Sequence, residues 1–546
     1  MPNMALTTRF LKRLNDSLAA RNLTEGTVAL DSAAEELARL NPKMQHATDL
    51  LLCVVQWIDV GYGDHHLTDL LIKRFPAKIR QQMPLADYLR LRMAEAFRAM
   101  AAEDADHAIE ILEFVMKAER ELNDQKMIAL AHLWMGRAHR KKGEYEIALK
   151  HIVQARKMTG ALPGNAAATA VIQIQESWLF FQKNHRKEAW RLLDEAEAVL
   201  KNTDYPLALA NIESARGRIV RRSGEYTKAL EHFERAIAIY SARHPHHGNL
   251  ARVLVNSAYV KRLVALQLRK KIDSKSRPTR SSDLGAPELK SLDRSLHARY
   301  QEICREAHDQ LNRAEKIYSL NENHGGLGSV LMNRGQLHLD DGDFENAARI
   351  ALRAYRLASE KNDHILMARA RILQAATENA HVDEQLGEDA DIAVHASTAM
   401  KYCDEALALA EHTQNRRLLA RAYLTKGETA ANDFLKEWDK AKECVALAMP
   451  LVSSGDRDQL WEELTALKSK IVQASGVDDA LRAWSDGLVG DKTFQQVTEE
   501  FAEIVIPKVW EREGRKISRV AERLSVSPKK VRRILRNVGM LNAQDA

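Results

Sequence analysis

WMGRAHRKKGEYEIALKHIVQARK, Trp134 to Lys157, and SARGRIVRRSGEYTKALEHFERAI, Ser214 to Ile237, follow one pattern. Each has a glycine, then Gly-Glu-Tyr seven residues on, then alanine, an apolar residue and alanine. In the first these are Gly136, Gly143, Tyr145, Ala148, Ile152 and Ala155; in the second, Gly217, Gly224, Tyr226, Ala229, Phe233 and Ala236. The spacing is that of two helices joined by a tight turn. Small residues let the helices approach, the middle glycine turns the chain, and the aromatic ring fills the gap between them. Such a unit cannot bury its apolar face alone, so units stack.

This pattern resembles the tetratricopeptide repeat (TPR). Gly335, Gly342, Phe344, Ala347 and Ala354 form a third clear copy, and weaker copies place their second-helix alanines at Ala108, Ala189, Ala307, Ala399 and Ala441. The spacings between successive alanines are 40, 41, 40, 78, 40, 52 and 42 residues. They exceed the usual period of about 34, so helices or connections are longer than standard. The gap of 78 reads as one repeat whose helices are split by an insert near 270–297; a second insert spans 381–393. The first is expected to be a loop, and the second is acidic. The expected organisation is an all-α, right-handed TPR-like solenoid of about eight repeats over 83–473. A degenerate capping repeat precedes it (1–82), and a linker (474–492) and a small helix-turn-helix domain (493–546) follow.

Bulk composition fits this reading. A chain of 546 residues with 45% hydrophobic and 29% charged residues, 24 glycines and 12 prolines is foldable and favours helix. The most apolar run, Leu50 to Val55, is too short to span a bilayer, and the N-terminus turns polar too soon for a secretory signal. Cys53, Cys304, Cys403 and Cys444 are scattered, as expected for reduced thiols in a cytoplasm. The net charge is +6, but Lys508 to Arg536 alone carries +8, leaving −2 on the rest.

The basic tail reads KISRVAERLSVSPKKVRRILRNVGM, Lys516 to Met540. Ile517, Val520, Ala521 and Leu524 make one apolar helical face, and Val531, Ile534, Leu535 and Val538 make another. Between them Ser527 suits an N-cap, Pro528 the first helical position, and Gly539 the helix stop. Val526 plugs the space beneath the turn, and Ala521 is small where the helices cross. Lys529, Lys530, Arg532, Arg533 and Arg536 decorate the second helix without an acid among them. A solvated basic face is one reading. A recognition helix in a DNA major groove, with Ser527, Lys529, Lys530, Arg532, Arg533 and Arg536 as contacts, is the other.

The tail resembles the DNA-binding domain of the factor for inversion stimulation (Fis), also found at the C-terminus of NtrC-type activators. Thr498 to Glu511 supplies the leading helix, Gly514 the turn, Val520, Ala521 and Leu524 the second helix, and Gly539-Met540 the end. Ser525 stands where that family usually has glycine, and Pro507 interrupts or bounds the leading helix. The resemblance implies a homodimer on two DNA half-sites about one turn, ~34 Å, apart.

In TPR proteins the first helix of each repeat lines the concave groove. Arg137, Arg140, Lys141, Arg218, Arg221 and Arg222 fall on or near that face. They are either a solvated charged surface or a basic cradle for an acidic peptide, a nucleotide or nucleic acid. His244, His246 and His247, and Asp64-His65-His66, lack the spacing of a metal site. Gly325, Gly326 and Gly328 read as an inter-repeat connection rather than a phosphate cradle. No Walker motif, H-E-x-x-H, G-x-S-x-G or kinase-like set occurs. The expectation is a bacterial, cytoplasmic regulator that is not an enzyme and needs no cofactor or metal. It would bind DNA through its tail, becoming nucleoid-associated, and a protein, peptide or small ligand through its solenoid, without a membrane. The alternative is a scaffold recruiting an effector.

Overall fold

In this computed structural model the described residues are 6–62, 65–118, 121, 124–276, 286–385, 391–453, 455–474, 484, 490–538 and 540–541. They are helical throughout, with no strand among them. Six helices come first: α1 (Thr8–Ala20), α2 (Leu23–Ser32), α3 (Ala34–Ala38), α4 (Ala47–Asp59), α5 (His65–Lys73) and α6 (Ala77–Arg80). Four antiparallel pairs follow: α7 (Leu85–Ala101) with α8 (Ala105–Lys117), α9 (Gln125–Lys142) with α10 (Tyr145–Gly160), α11 (Ala166–Gln182) with α12 (Arg186–Leu200), and α13 (Pro206–Arg222) with α14 (Tyr226–Arg243). Four more complete the series: α15 (Gly248–Ser276) with α16 (Ala286–Leu320), α17 (His324–Asp340) with α18 (Phe344–Glu360), α19 (His364–Gln385) with α20 (Ile392–Glu411), and α21 (Arg416–Ala430) with α22 (Trp438–Ala448). Helix α23 (Gln459–Ala474) comes next. The chain divides into two compact units, Met1–Leu467 and Lys468–Ala546.

The eight alanines that set the repeat, Ala108, Ala148, Ala189, Ala229, Ala307, Ala347, Ala399 and Ala441, each lie in a second helix and are all fully buried. Their first-helix counterparts explain why. A methyl group built on Gly136 would come within 2.7 Å of Ile152, and one on Gly217 within 2.7 Å of the Phe233 ring. The two helices therefore touch at these glycines, closer than any side chain permits. The turn that follows takes a left-handed residue: Gly143, Gly224 and Gly342 in the three clear copies, and Glu103 and Asn184 in weaker ones.

The 78-residue gap holds the helix pair α15 and α16, and the helices themselves lengthen into the insert. The chain is helical through Lys270 to Ser276 and again from Ala286, where a loop was expected. Residues 277–285 of that insert lie outside the described residues. Likewise α19 continues to Gln385 and α20 begins at Ile392, so much of the second insert is helix. Its residues 386–390, most of the expected linker, Asp64 and Gly539 also lie outside the described residues. The three glycines of NHGGLGS are not a connection: they form the first turns of α17. A methyl on Gly326 would strike Tyr318 at 2.4 Å, and one on Gly328 would strike Leu366 at 2.1 Å.

The first six helices do more than stack on the first pair. Helix α1 packs against α11 two repeats on, and the amides of Leu23 and Thr24 donate to the backbone and carboxylate of Asp204.

The second unit is built on α24 (Phe494–Arg512), α25 (Ile517–Arg523) and α26 (Pro528–Asn537). Thr493 and Gln496 form a capping box at the start of α24, which runs unbroken through Pro507. Ala502, Ile506 and Trp510 of α24 meet Val520, Ala521, Val531, Ile534 and Leu535 in one core, with Val526 beneath the turn. Val538, expected in this core, is exposed.

Candidate functional site

Successive turns of the first unit meet. The Gly143 carbonyl accepts from the Gln414 amide at 2.9 Å, and the Gln414 side-chain carbonyl accepts from the Glu146 amide at 2.7 Å. The Gly325 amide donates to the Glu103 carboxylate at 3.0 Å, so the helix N-terminus at this glycine cluster holds a carboxylate of the chain itself. The Arg457 amide donates to the Arg222 carbonyl at 2.9 Å. These contacts join segments far apart in sequence, and the same unit holds a half-open cavity of about 1350 Å³.

The lining comes largely from the first helices of the pairs. Of the six expected groove residues, Arg137, Arg140, Lys141, Arg218 and Arg221 face the cavity. Arg222 does not. It is buried, lies flat over the Phe181 ring at 3.7 Å, and donates to the Phe181 carbonyl at 2.8 Å and to the Asn184 side chain at 3.2 Å. It sits one residue beyond Arg221, which rotates its side chain by roughly 100° around the helix. The matching residue two pairs earlier, Lys141, makes an ion pair at 2.9 Å with Glu103. At this position both side chains reach back to the turn of the preceding pair, at Glu103 and Asn184.

Arg252, Arg262, Arg369 and Arg421 line the cavity as well and were not anticipated. They lie on α15, α19 and α21, whose repeats were recognised only by their second-helix alanines. The expected register of the first helix was the missing signal. Several of the cations are neutralised locally: Arg137 by Asp59 at 2.6 Å, Arg262 by Asp340, and Arg421 by Glu463. The Asp59 carboxylate comes from α4, in the segment read only as a cap.

Five arginines remain without an ion pair among the described residues: Arg140, Arg218, Arg221, Arg252 and Arg369. Arg140 lies over Trp178 at 5.2 Å and donates to Gln175; Arg221 lies over Tyr259 at 4.9 Å. Arg252 donates to Asn211 at 3.1 Å while its Nε finds no partner. Burial, followed by the neighbouring charges of Arg137 and Arg252, lowers the Arg140 guanidinium to about 9. Burial and the charges of Arg252, Arg221 and Arg140 push Arg218 down, and burial pushes Arg369 down against the opposing pull of the Asp363 carboxylate. The cluster thus gathers five guanidiniums in one cavity with no carboxylate ion-paired to any of them among the described residues.

His65, His66, His244, His246 and His247 also border the cavity. His244 contacts the Gly61 carbonyl at 3.1 Å and His247 stacks on Tyr240. Among the described residues no group of three His, Cys, Asp or Glu side chains could hold a metal ion, and no helix is long and apolar enough to cross a membrane.

In the second unit Ser527 caps α26, its hydroxyl accepting from the Lys530 amide at 3.2 Å. Lys529, Arg532 and Arg536 are exposed and make no ion pair among the described residues, and Lys530 is half-buried. Arg533 differs: it is paired with Glu499 of α24, beside a hydrogen bond from Asn537 to Glu503. It ties two helices together rather than standing free. Ser525 adopts φ +52°, the left-handed turn conformation its glycine counterpart would favour.

No protein-family model and no curated protein matches the sequence. Among solved structures the chain is similar to a Rap protein complexed with competence and sporulation factor, at 12% identity over 74% of this chain and 98% of that one, TM-score 0.50. It is also similar to IFIT1 with Gppp-AAAA (11% identity, 81% and 94% covered, TM-score 0.44). A third is the apo quorum sensor NprR from B. thuringiensis (14% identity, 64% and 97% covered, TM-score 0.38). The likeness to the Rap protein shows the fold, an all-α TPR-like solenoid.

Proposed function

We propose that this protein is a non-enzymatic, DNA-binding regulator, with a ligand site in the solenoid cavity and a Fis-type helix-turn-helix in its second unit. The observation that carries the reading is α26. Its apolar edge is buried in the three-helix core while Lys529, Arg532 and Arg536 stand exposed and unpaired on the other side. Such a helix offers cations to phosphates and guanidinium forks to guanine edges. Phe494 and Phe501, two turns apart on α24, are 88% and 49% exposed and give a second copy an apolar face to pack on. On this reading the protein works as a cytoplasmic homodimer, associated with the nucleoid when bound to DNA. A peptide or protein partner for the cavity follows by analogy with the Rap complex, in which competence and sporulation factor is bound.

The test is fluorescence anisotropy of a labelled duplex with the full chain over 50–200 mM salt. Three to four phosphate contacts per copy predict a slope of log K against log salt near −3 per copy. Arg536→Ala is expected to flatten that slope by about 1. An absence of binding at the lowest salt, or a variant with an unchanged slope, would exclude α26 as the DNA contact. The exposed α24 face would then favour the scaffold reading.

A further inference from the structure

The solenoid cavity holds an arrangement that a general protein-binding groove does not need. Arg140, Arg218, Arg221, Arg252 and Arg369 come from four different first helices and line one half-open cavity. All five are arginine, and none has an acid paired to it among the described residues. The same cavity does pair other cations, Arg137, Arg262 and Arg421, with carboxylates. Four of them have neutral partners: Trp178 and Gln175 for Arg140, Tyr259 for Arg221, Asn211 for Arg252 and the Ser214 carbonyl, at 3.4 Å, for Arg218. Those partners hold the four guanidiniums without neutralising them.

We propose that this cluster is a binding site for a compact polyphosphate: a ligand with three or more linked phosphates, free or carried on a nucleoside. Guanidinium groups present planar donor pairs that match phosphate oxygens. Five such groups facing one cavity call for several negative charges within a short span. A triphosphate supplies these on one small group. An acidic peptide spreads its carboxylates along the chain and brings backbone and side chains that need pockets of their own. Burial first, and then neighbouring guanidiniums, lower Arg140 and Arg218, and an entering anion offsets both. This inference rests on the proposed role of the cavity as a ligand site, and it is independent of DNA binding.

Isothermal titration of the full chain with inorganic tripolyphosphate, with ATP and GTP, and with a hexa-aspartate peptide tests it at 150 mM salt. The expected result is that at least one triphosphate binds 10-fold or more tighter than the peptide. In Arg218→Gln/Arg252→Gln that affinity falls at least 10-fold, while Arg353→Ala, an exposed residue of α18 outside the cavity, leaves it unchanged. The double variant is also expected to melt at or above the wild-type temperature without ligand, because two repelling charges are gone; this separates loss of binding from loss of fold. Arg218→Lys/Arg252→Lys keeps the charge and is expected to bind with intermediate affinity. Equal binding of tripolyphosphate and nucleotides identifies phosphate itself as the ligand chemistry; tighter binding of one nucleotide identifies a nucleoside polyphosphate. Preferential binding of the peptide overturns the polyphosphate assignment and leaves the cavity as a ligand site. Failure of all the probes to bind, or equal binding by the double glutamine variant, overturns the anion site altogether.

Discussion

Replacing Gly224 with alanine, beside the matched replacement of Gly342, measures how firmly the turns of the solenoid are closed on one another. Both glycines end a first helix in the left-handed region, at φ +78° and +79°. Alanine in that region costs about 1 kcal/mol at either position. The surroundings differ. A methyl on Gly342 meets nothing within 4 Å, whereas one on Gly224 would lie 2.5 Å from the backbone carbonyl oxygen of Arg457. That carbonyl belongs to the strap whose Arg457 amide donates to Arg222, so it cannot retreat without straining or breaking the closure. Overpacking of this kind adds about 1–3 kcal/mol. The expectation is about 1 kcal/mol of destabilisation for Gly342→Ala and about 2–4 kcal/mol for Gly224→Ala. Urea unfolding followed by tryptophan fluorescence reads the first quantity. Hydrogen exchange of the amides in 455–458 reads the second locally, which matters because repeat arrays do not always unfold in one step. Equal effects of the two substitutions, with unchanged exchange at Arg457, would refute the view that this contact joins the two segments.

Three further outcomes are expected. Ser525→Gly relieves a left-handed non-glycine turn and is expected to stabilise the second unit by about 1 kcal/mol, read as a shift in its thermal midpoint; a loss of stability would mean the serine side chain contributes more than its backbone costs. His151 faces His132 across 2.9 Å between their Nδ1 atoms, near His139, and burial first, then both neighbours, lower it to about 4. Because the folded value lies below the unfolded one, near 6.5, the unfolded chain takes up protons first, and stability is expected to fall as pH drops from 6.5 towards 4. His151→Asn should flatten that dependence, and an unchanged melting profile between pH 7 and 5 would remove His151 from the account. Finally, Glu499→Gln is expected to loosen Arg533 and lower the stability of the second unit by under 1 kcal/mol, as surface ion pairs do, without weakening DNA binding.

The legibility of this chain follows from the range of each interaction. Gly136 and Gly217 were readable because their requirement is local: a helix crossing needs a residue with no side chain opposite Ile152 or Phe233. The eight alanines announced the pairs for the same reason. The turn at Ser525 was marked by the resemblance, which puts glycine at that position. What the sequence hid depends on many residues at once. Whether Gly143 meets Gln414, or Gly224 meets Arg457, is set by the accumulated rotation of several pairs, which no single repeat encodes. Arg222 and Arg221 have the same chemistry and differ by one helical step, yet one is packed on Phe181 and the other faces the cavity. Arg252 and Arg369 escaped notice because their first helices lack the glycine that fixes the register. Arg533 looked equivalent to Arg532 until Glu499 of α24 was placed beside it.

On the proposed function, α26 reads DNA sequence. The most direct measurement is selection of bound fragments from the source genome by the full chain at two salt concentrations, comparing wild type with Arg532→Ala/Arg536→Ala. The account predicts discrete sites that persist at ~150–200 mM salt and disappear in the variant, since contacts to phosphate alone collapse steeply over that range. No enriched sites, or the same sites recovered by the variant, would contradict it.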